Sequence, residues 1–149
     1  KEYNIKMRTI SVPLTLINLQ DDGFHLLVEI VVFGQNILAV VDTGASRTVF
    51  DKTFIVTHIT DLESNEEEVH ATTLFTTAST LQATIPKLKI GSLIIKNYEA
   101  VALDLEAVNQ AYEGLGHPKI AAIIGGDLLL KYNAVINYKK MKLKMTILR

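Results

Sequence analysis

Asp42 stands where a carboxylate can do acid-base work. The apolar run Ile37-Leu38-Ala39-Val40-Val41 leads directly into it and Thr43-Gly44-Ala45-Ser46 follows. An unbroken run of this kind reads as a strand buried on both faces, so the chain leaves the interior at Asp42 and sets the carboxylate on the floor of a groove. A carboxylate held there is equipped to take a proton from a bound reactant or give one to it. Gly44 lets the backbone turn and brings an N–H close to the carboxylate, and the Thr43 hydroxyl can brace the loop. Ser46 is expected to bond behind Asp42 and orient it, while Ala45 is small enough to let an extended substrate pass. Asp-Thr-Gly alone is also an ordinary turn signal after a strand, so the reading needs support from elsewhere in the chain.

Other chemistries find less in this sequence. His25, His58, His70 and His117 are scattered, with no His-Glu-x-x-His run or carboxylate-histidine spacing, so no metal site is expected. The chain has no cysteine, which removes disulfide, zinc-thiolate and cysteine-nucleophile readings. Gly44-Ala45-Ser46 lacks the glycine-x-serine-x-glycine elbow of a serine hydrolase, and Gly125-Gly126-Asp127 lacks the lysine and spacing of a phosphate loop. A net charge of −1 over 149 residues gives no electrostatic case for nucleic acid. No stretch of 18 or more apolar residues suggests a membrane span, and no apolar secretory core follows the start at Lys1, so the expected location is cytoplasmic.

The elements that must position Asp42 are mostly strands. Phe24 to Phe33 is β-rich, Gly34-Gln35-Asn36 reads as a turn, and Ile37 to Val41 returns to deliver Asp42. The pattern recurs in Lys87 to Ile90, the Gly91-Ser92 turn and Leu93 to Leu103, which ends at Asp104 without a following Thr-Gly. Asp104 is therefore read as a loop or capping residue, and the echo suggests two related halves. Between them, Ala71 to Thr77 and Thr80 to Ile85 read as a hairpin turning at Ala78-Ser79. Leu105 to Gly114 carries Leu105, Val108, Ala111 and Tyr112 at helical spacing. Glu63 to Glu68 reads as a solvated charge run. Near the N-terminus Ile10, Val12, Leu14 and Leu16 alternate across Pro13, which suggests an edge strand. At the C-terminus Met141, Leu143, Met145 and Ile147 alternate with lysines, as in a half-buried strand. A buried segment, Ile120 to Ile124, runs through Gly125 and Gly126 into a short helix expected over Asp127 to Tyr132 with Asp127 as its cap.

The Asp42 to Ser46 string after its apolar run resembles the active-site motif of aspartic peptidases. Its single occurrence is similar to the single-lobed, retropepsin-like branch. Ile120 to Leu129 resembles the apolar-apolar-glycine segment that crosses beneath the active-site loop in that family, which gives Ile124, Gly125, Gly126 and Asp127 structural roles. The resemblance covers most of the chain. It implies an all-β lobe across residues 1–149, a closed β-barrel or sandwich with a flap hairpin and one or two short helices. It further implies a homodimeric aspartic endopeptidase with one catalytic Asp42 from each subunit and Thr43 gripping the opposite loop. Two carboxylates in contact share one proton, so one acts as base and the other as acid on a bound water, with no cofactor. A peptide or protein substrate would lie extended between Gly44 and Ala45 below and the flap residues Thr77, Ala78 and Ser79 above. That flap has no glycine at its expected tip, which motivates the alternative of a peptide-binding or dimerisation module with weak or absent catalysis.

Overall fold

The computed structural model describes residues 6–58, 69–72 and 77–148, with the backbone alone described for 69–72 and 77–79. In chain order the elements are β1 (Met7–Asn18), β2 (Phe24–Val32), β3 (Gln35–Val41), β4 (Val49–Asp51), α1 (Lys52–His58), β5 (Val69–Thr72), β6 (Thr77–Ile90) and β7 (Leu93–Leu103). There follow α2 (Glu106–Gly114), β8 (Ala122–Ile124), α3 (Gly126–Lys131), β9 (Val135–Asn137) and β10 (Lys142–Leu148). Hydrogen bonding links the strands in the order β5-β6-β7-β4-β8-β3-β2-β1-β10-β9, and a further pairing of β6 with β2 closes the strands from β6 to β2 into a barrel. The expected all-β class with short helices is what the chain adopts.

Two apolar clusters explain why β2 and β3 are almost continuously hydrophobic. Leu26, Val28, Ile30, Val32, Ala39 and Val41 face the main cluster, while Leu27 and Val40 face a second one shared with Tyr112 and Ile120. Strands covered on both sides cannot show polar alternation. β3 runs parallel to β8, and β4 runs parallel to β7. Each hairpin thus has its last strand paired with a strand that arrives from the other half of the chain, and this crossing places the loop after β3 against the start of α3.

Three expectations shift. The first hairpin turns on Phe33-Gly34, not on Gly34-Gln35-Asn36: Val32 pairs with Gln35, and both turn residues take left-handed φ, 53° and 72°. Phenylalanine tolerates that backbone here because its ring packs 5.9 Å from Phe54 and stacks 5.6 Å from His58. Ala78-Ser79 is not a turn but strand, pairing with Ala71 and His70, so that hairpin reverses between Thr72 and Thr77. The intervening residues and the Glu63 to Glu68 run lie outside the described residues. Pro13 does not mark an edge strand: β1 lies between β2 and β10 and changes partner at the proline, pairing through Pro13 with β10 and from Leu14 with β2. A residue without an N–H fits where one ladder ends and the next begins. The two ends of the chain therefore pair with each other within one subunit.

Candidate active site

Backbone bonds from both halves hold the Asp42 loop. The Asp42 N–H donates to the Ile124 carbonyl of β8 at 2.9 Å, the Ala45 N–H donates back to the Asp42 carbonyl at 3.2 Å, and the Gly126 N–H donates to the Ala45 carbonyl at 2.7 Å. The Gly44 N–H donates to Asp42 Oδ1 at 2.9 Å, as its position in the sequence suggested. A Cβ on Gly44 would come within 3.3 Å of the same oxygen, so its lack of a side chain keeps the carboxylate uncrowded. Asp42, Thr43, Gly44 and Ser46 are exposed and Ala45 is half-buried.

Below the loop, Gly125 is required by space. A Cβ on Gly125 would meet the Arg47 carbonyl oxygen at 2.6 Å and that of Ala45 at 2.8 Å, distances no side chain tolerates. The hydroxyl that braces the loop from behind belongs to Thr48, a residue the sequence reading missed; Ser46 is exposed. Thr48 is wholly buried and its Oγ1 accepts the Gly125 N–H at 3.0 Å while donating to Asp127 Oδ1 at 2.8 Å. Asp127 also accepts the Thr48 N–H at 2.8 Å and the Tyr98 hydroxyl at 2.9 Å. It is thus a structural residue but not the helix cap: α3 begins with Gly126, and the residue at its N-cap is Gly125. Its carboxylate is used across the molecule, not on its own helix. Burial, and then the Asp127 charge, push the Tyr98 phenol well above its ordinary range, so it stays a donor in this network.

A groove of about 480 Å³ starts at Thr43 and runs along α3, lined also by Gly126, Leu129, Leu130, Asn133 and Ala134. Leu130 is 80 % exposed at its edge. Thr77, Ala78 and Ser79 sit in the strand that carries the hairpin, and their side chains lie outside the described residues. Among the described residues no group of three or more His, Asp or Glu side chains is disposed to hold a metal ion, and no helix is long and apolar enough to cross a membrane.

The family described as aspartyl protease matches residues 28–128, which run from β2 through Asp42 to the Gly125-Gly126-Asp127 junction. No curated protein matches the chain. A crystal structure of a retropepsin-like aspartic protease from Rickettsia conorii is similar over 99 % of this chain and 98 % of its own, at 21 % identity and a TM-score of 0.56. The retroviral protease-like domain of Ddi1 from Leishmania major is similar over 77 % of this chain and 82 % of its own, at 15 % identity and a TM-score of 0.50. At these identities the likeness is one of fold.

Proposed function

We propose that this chain, which belongs to the aspartyl protease family, is an endopeptidase that acts as a symmetric homodimer with one Asp42 from each subunit at the axis. The observation that carries the reading is the state of Asp42 itself. The residue is exposed, anchored through its N–H to Ile124, and among the described residues its carboxylate makes one hydrogen bond, Oδ1 to the Gly44 N–H. A C₂ axis beside this loop brings the partner's Asp42 against it and makes one site from two halves. The two carboxylates then share a proton. The charged one takes a proton from water as that water attacks the scissile carbonyl, and the protonated one hydrogen-bonds the developing oxyanion.

The groove at Thr43 supports the dimer. Any second copy that brings its Asp42 to the axis must sit against the neighbouring residue, and the exposed Leu130 supplies apolar area there. The substrate is an extended peptide or protein segment lying over Asp42, Gly44 and Ala45 and under the hairpin of β5 and β6, which closes over it and excludes water. The setting proposed is cytoplasmic, and fractionation of expressing cells tests it. The function is tested by mass spectrometry of a diverse peptide library across acidic to neutral pH, with the native chain beside Asp42→Asn. Cleavage by the native chain alone is expected. Peptide binding without cleavage by a verified dimer would instead establish a binding module.

A further inference from the structure

His25 and Asp42 stand next to the last paired residues of β2 and β3, Leu26 and Val41. β2 and β3 pair Leu27 with Val40 and Leu26 with Val41, and the same register carried one residue further sets His25 opposite Asp42. Leu26 and Val41 point into the main cluster, so the next residue on each strand leaves the sheet on the other face, where α2 packs. Facing residues of an antiparallel pair have Cβ atoms roughly 4.5–5.5 Å apart. From α2 the buried Tyr112 reaches the same place: its hydroxyl lies 2.5 Å from His25 Nδ1, with the rings 5.8 Å apart at 57°. His117 packs edge-on against the other side of Tyr112 at 6.4 Å and hydrogen-bonds the Asn18 carbonyl through Nε2 at 2.6 Å. Burial, and then the Asp42 charge, push the Tyr112 phenol up to about 12, so its hydroxyl keeps its proton, and it donates to Nδ1 or accepts from it according to the ring's tautomer. With Nδ1 as acceptor, the ring's own proton is on Nε2. The titratable groups facing His25 are then Asp42 from the end of β3 and Tyr112 from α2; β1, its other strand neighbour, places Ile17 opposite it.

We propose that His25 is a specificity-determining residue of the cleft, held in one ring orientation by Tyr112 so that Nε2–H donates to an acceptor-bearing substrate side chain beside the scissile bond. The inference rests on the endopeptidase reading. An extended substrate advances about 3.3 Å per residue, so a group across one strand spacing from Asp42 lies under the first or second residue from the cleaved bond. The side chains it selects are carboxylates and carboxamides over apolar ones of similar size. His25 itself is exposed, so replacing it leaves the fold intact.

Two measurements test this. Nitrogen-15 imidazole spectra are expected to show His25 protonated on Nε2, with its resonances moving on Asp42→Asn and on Tyr112→Phe but not on Asp104→Asn; resonances indifferent to Asp42→Asn overturn the adjacency. In library cleavage the native chain is expected to prefer Asp, Glu, Asn or Gln over Leu within two residues of the cut by about fivefold, the worth of one hydrogen bond. His25→Phe loses that preference through KM with kcat within about twofold, and His25→Gln, whose amide N–H replaces Nε2–H, restores part of it. A preference unchanged in His25→Phe overturns the proposal. A native chain that cleaves nothing overturns the endopeptidase reading instead. The contact is then judged by whether millimolar Glu-containing peptides shift the His25 resonances more than Leu-containing ones, and equal shifts overturn it.

Discussion

The two halves of the chain use the same design and reach different ends at their aspartates. In each, a tight hairpin delivers a strand to an aspartate whose Oδ1 accepts the N–H two residues on, Gly44 to Asp42 and Glu106 to Asp104, both at 2.9 Å. A short strand then crosses to pair in parallel with the other half, β4 with β7 and β8 with β3. A second aspartate near each strand-to-helix junction bonds backbone of the opposite half: Asp51 accepts the Leu105 N–H at 3.1 Å and Asp127 the Thr48 N–H at 2.8 Å. The halves diverge in the residues just after the first aspartate. After Asp42 come Thr-Gly-Ala-Ser and an exposed loop; after Asp104 the chain enters α2 almost at once. One local hydrogen bond thus opens an exposed loop after Asp42 and a helix after Asp104; both carboxylates are exposed, so the halves differ in the few residues that follow.

Exchanging the roles is the strongest way to break the comparison. Asp42→Asn is expected to lower kcat/KM by on the order of 10⁴-fold, as removal of a reacting group does. Asp104→Asn is expected to leave kcat/KM within about twofold, its cost confined to the start of α2. Comparable losses in the two variants, measured on one substrate, would sink the assignment. The helices after the crossing strands sharpen it next. α1 buries Ile55 completely, whereas α3 holds Leu130 out at 80 % exposure beside Thr43. Leu130→Asp is expected to weaken dimer association by roughly 100-fold or more, as loss of a central apolar anchor does, and activity should then rise with protein concentration. Sedimentation showing an unchanged dimer for this variant would move the interface elsewhere.

Much of this was legible in the sequence because the decisive signals are local. The run into Asp42, the paired glycines and the alternation of β10 need only neighbouring residues to be read. What failed depends on distant contacts. Phe33 adopts a left-handed turn with Phe54 and His58 packed on it, and misplacing that turn hid the register that pairs Leu26 with Val41. The Ala78-Ser79 turn failed because β6 runs on beyond its pairing with β7, which starts at Leu81, and there pairs Ala78 and Ser79 with Ala71 and His70 of β5. The pairing of β6 with β7 also absorbs a proline: Pro86 faces Asn97, whose φ is 51°, between two regular pairs, and the buried side of both strands changes there. Thr48 was invisible because its value lies in partners 77 and 79 residues away.

The bonds between the halves give a smaller effect. Thr48→Val keeps the shape of the side chain and removes Oγ1, which leaves the buried Gly125 N–H without its acceptor and Asp127 Oδ1 with the Thr48 N–H alone. The expected loss is about 1–3 kcal/mol in urea unfolding at fixed dimer concentration. Activity should fall with it, because the same bonds hold the Asp42 loop over Gly125. On the other side of the pseudo-symmetry, Asp51→Ala removes the acceptor for Phe54 and Leu105 and should cost about 0.5–2 kcal/mol with the active-site loop intact. Equal losses of activity per unit of stability in the two variants would show that the halves are coupled only through global stability.

The smallest effect probes whether α2, which comes after Asp104, serves Asp42. Its Tyr112 phenol is raised to about 12 by burial and then by the Asp42 charge. In the unfolded chain a phenol loses its proton near pH 10. Between those limits the folded chain retains a proton that the unfolded chain has lost, so the unfolded state binds fewer protons and stability falls as pH rises. The contribution is fully present below about pH 10 and is spent by about pH 12. Tyr112→Phe should therefore flatten the decline of urea midpoints between about pH 10 and pH 12, leaving the share that comes from Tyr98, whose phenol is raised as well. Asp42→Asn, which keeps the phenol and removes only the second cause, should bring the end of the window down. An alkaline decline that Asp42→Asn leaves untouched would mean that Tyr112 answers to burial alone and that α2 is only a cover for the second apolar cluster.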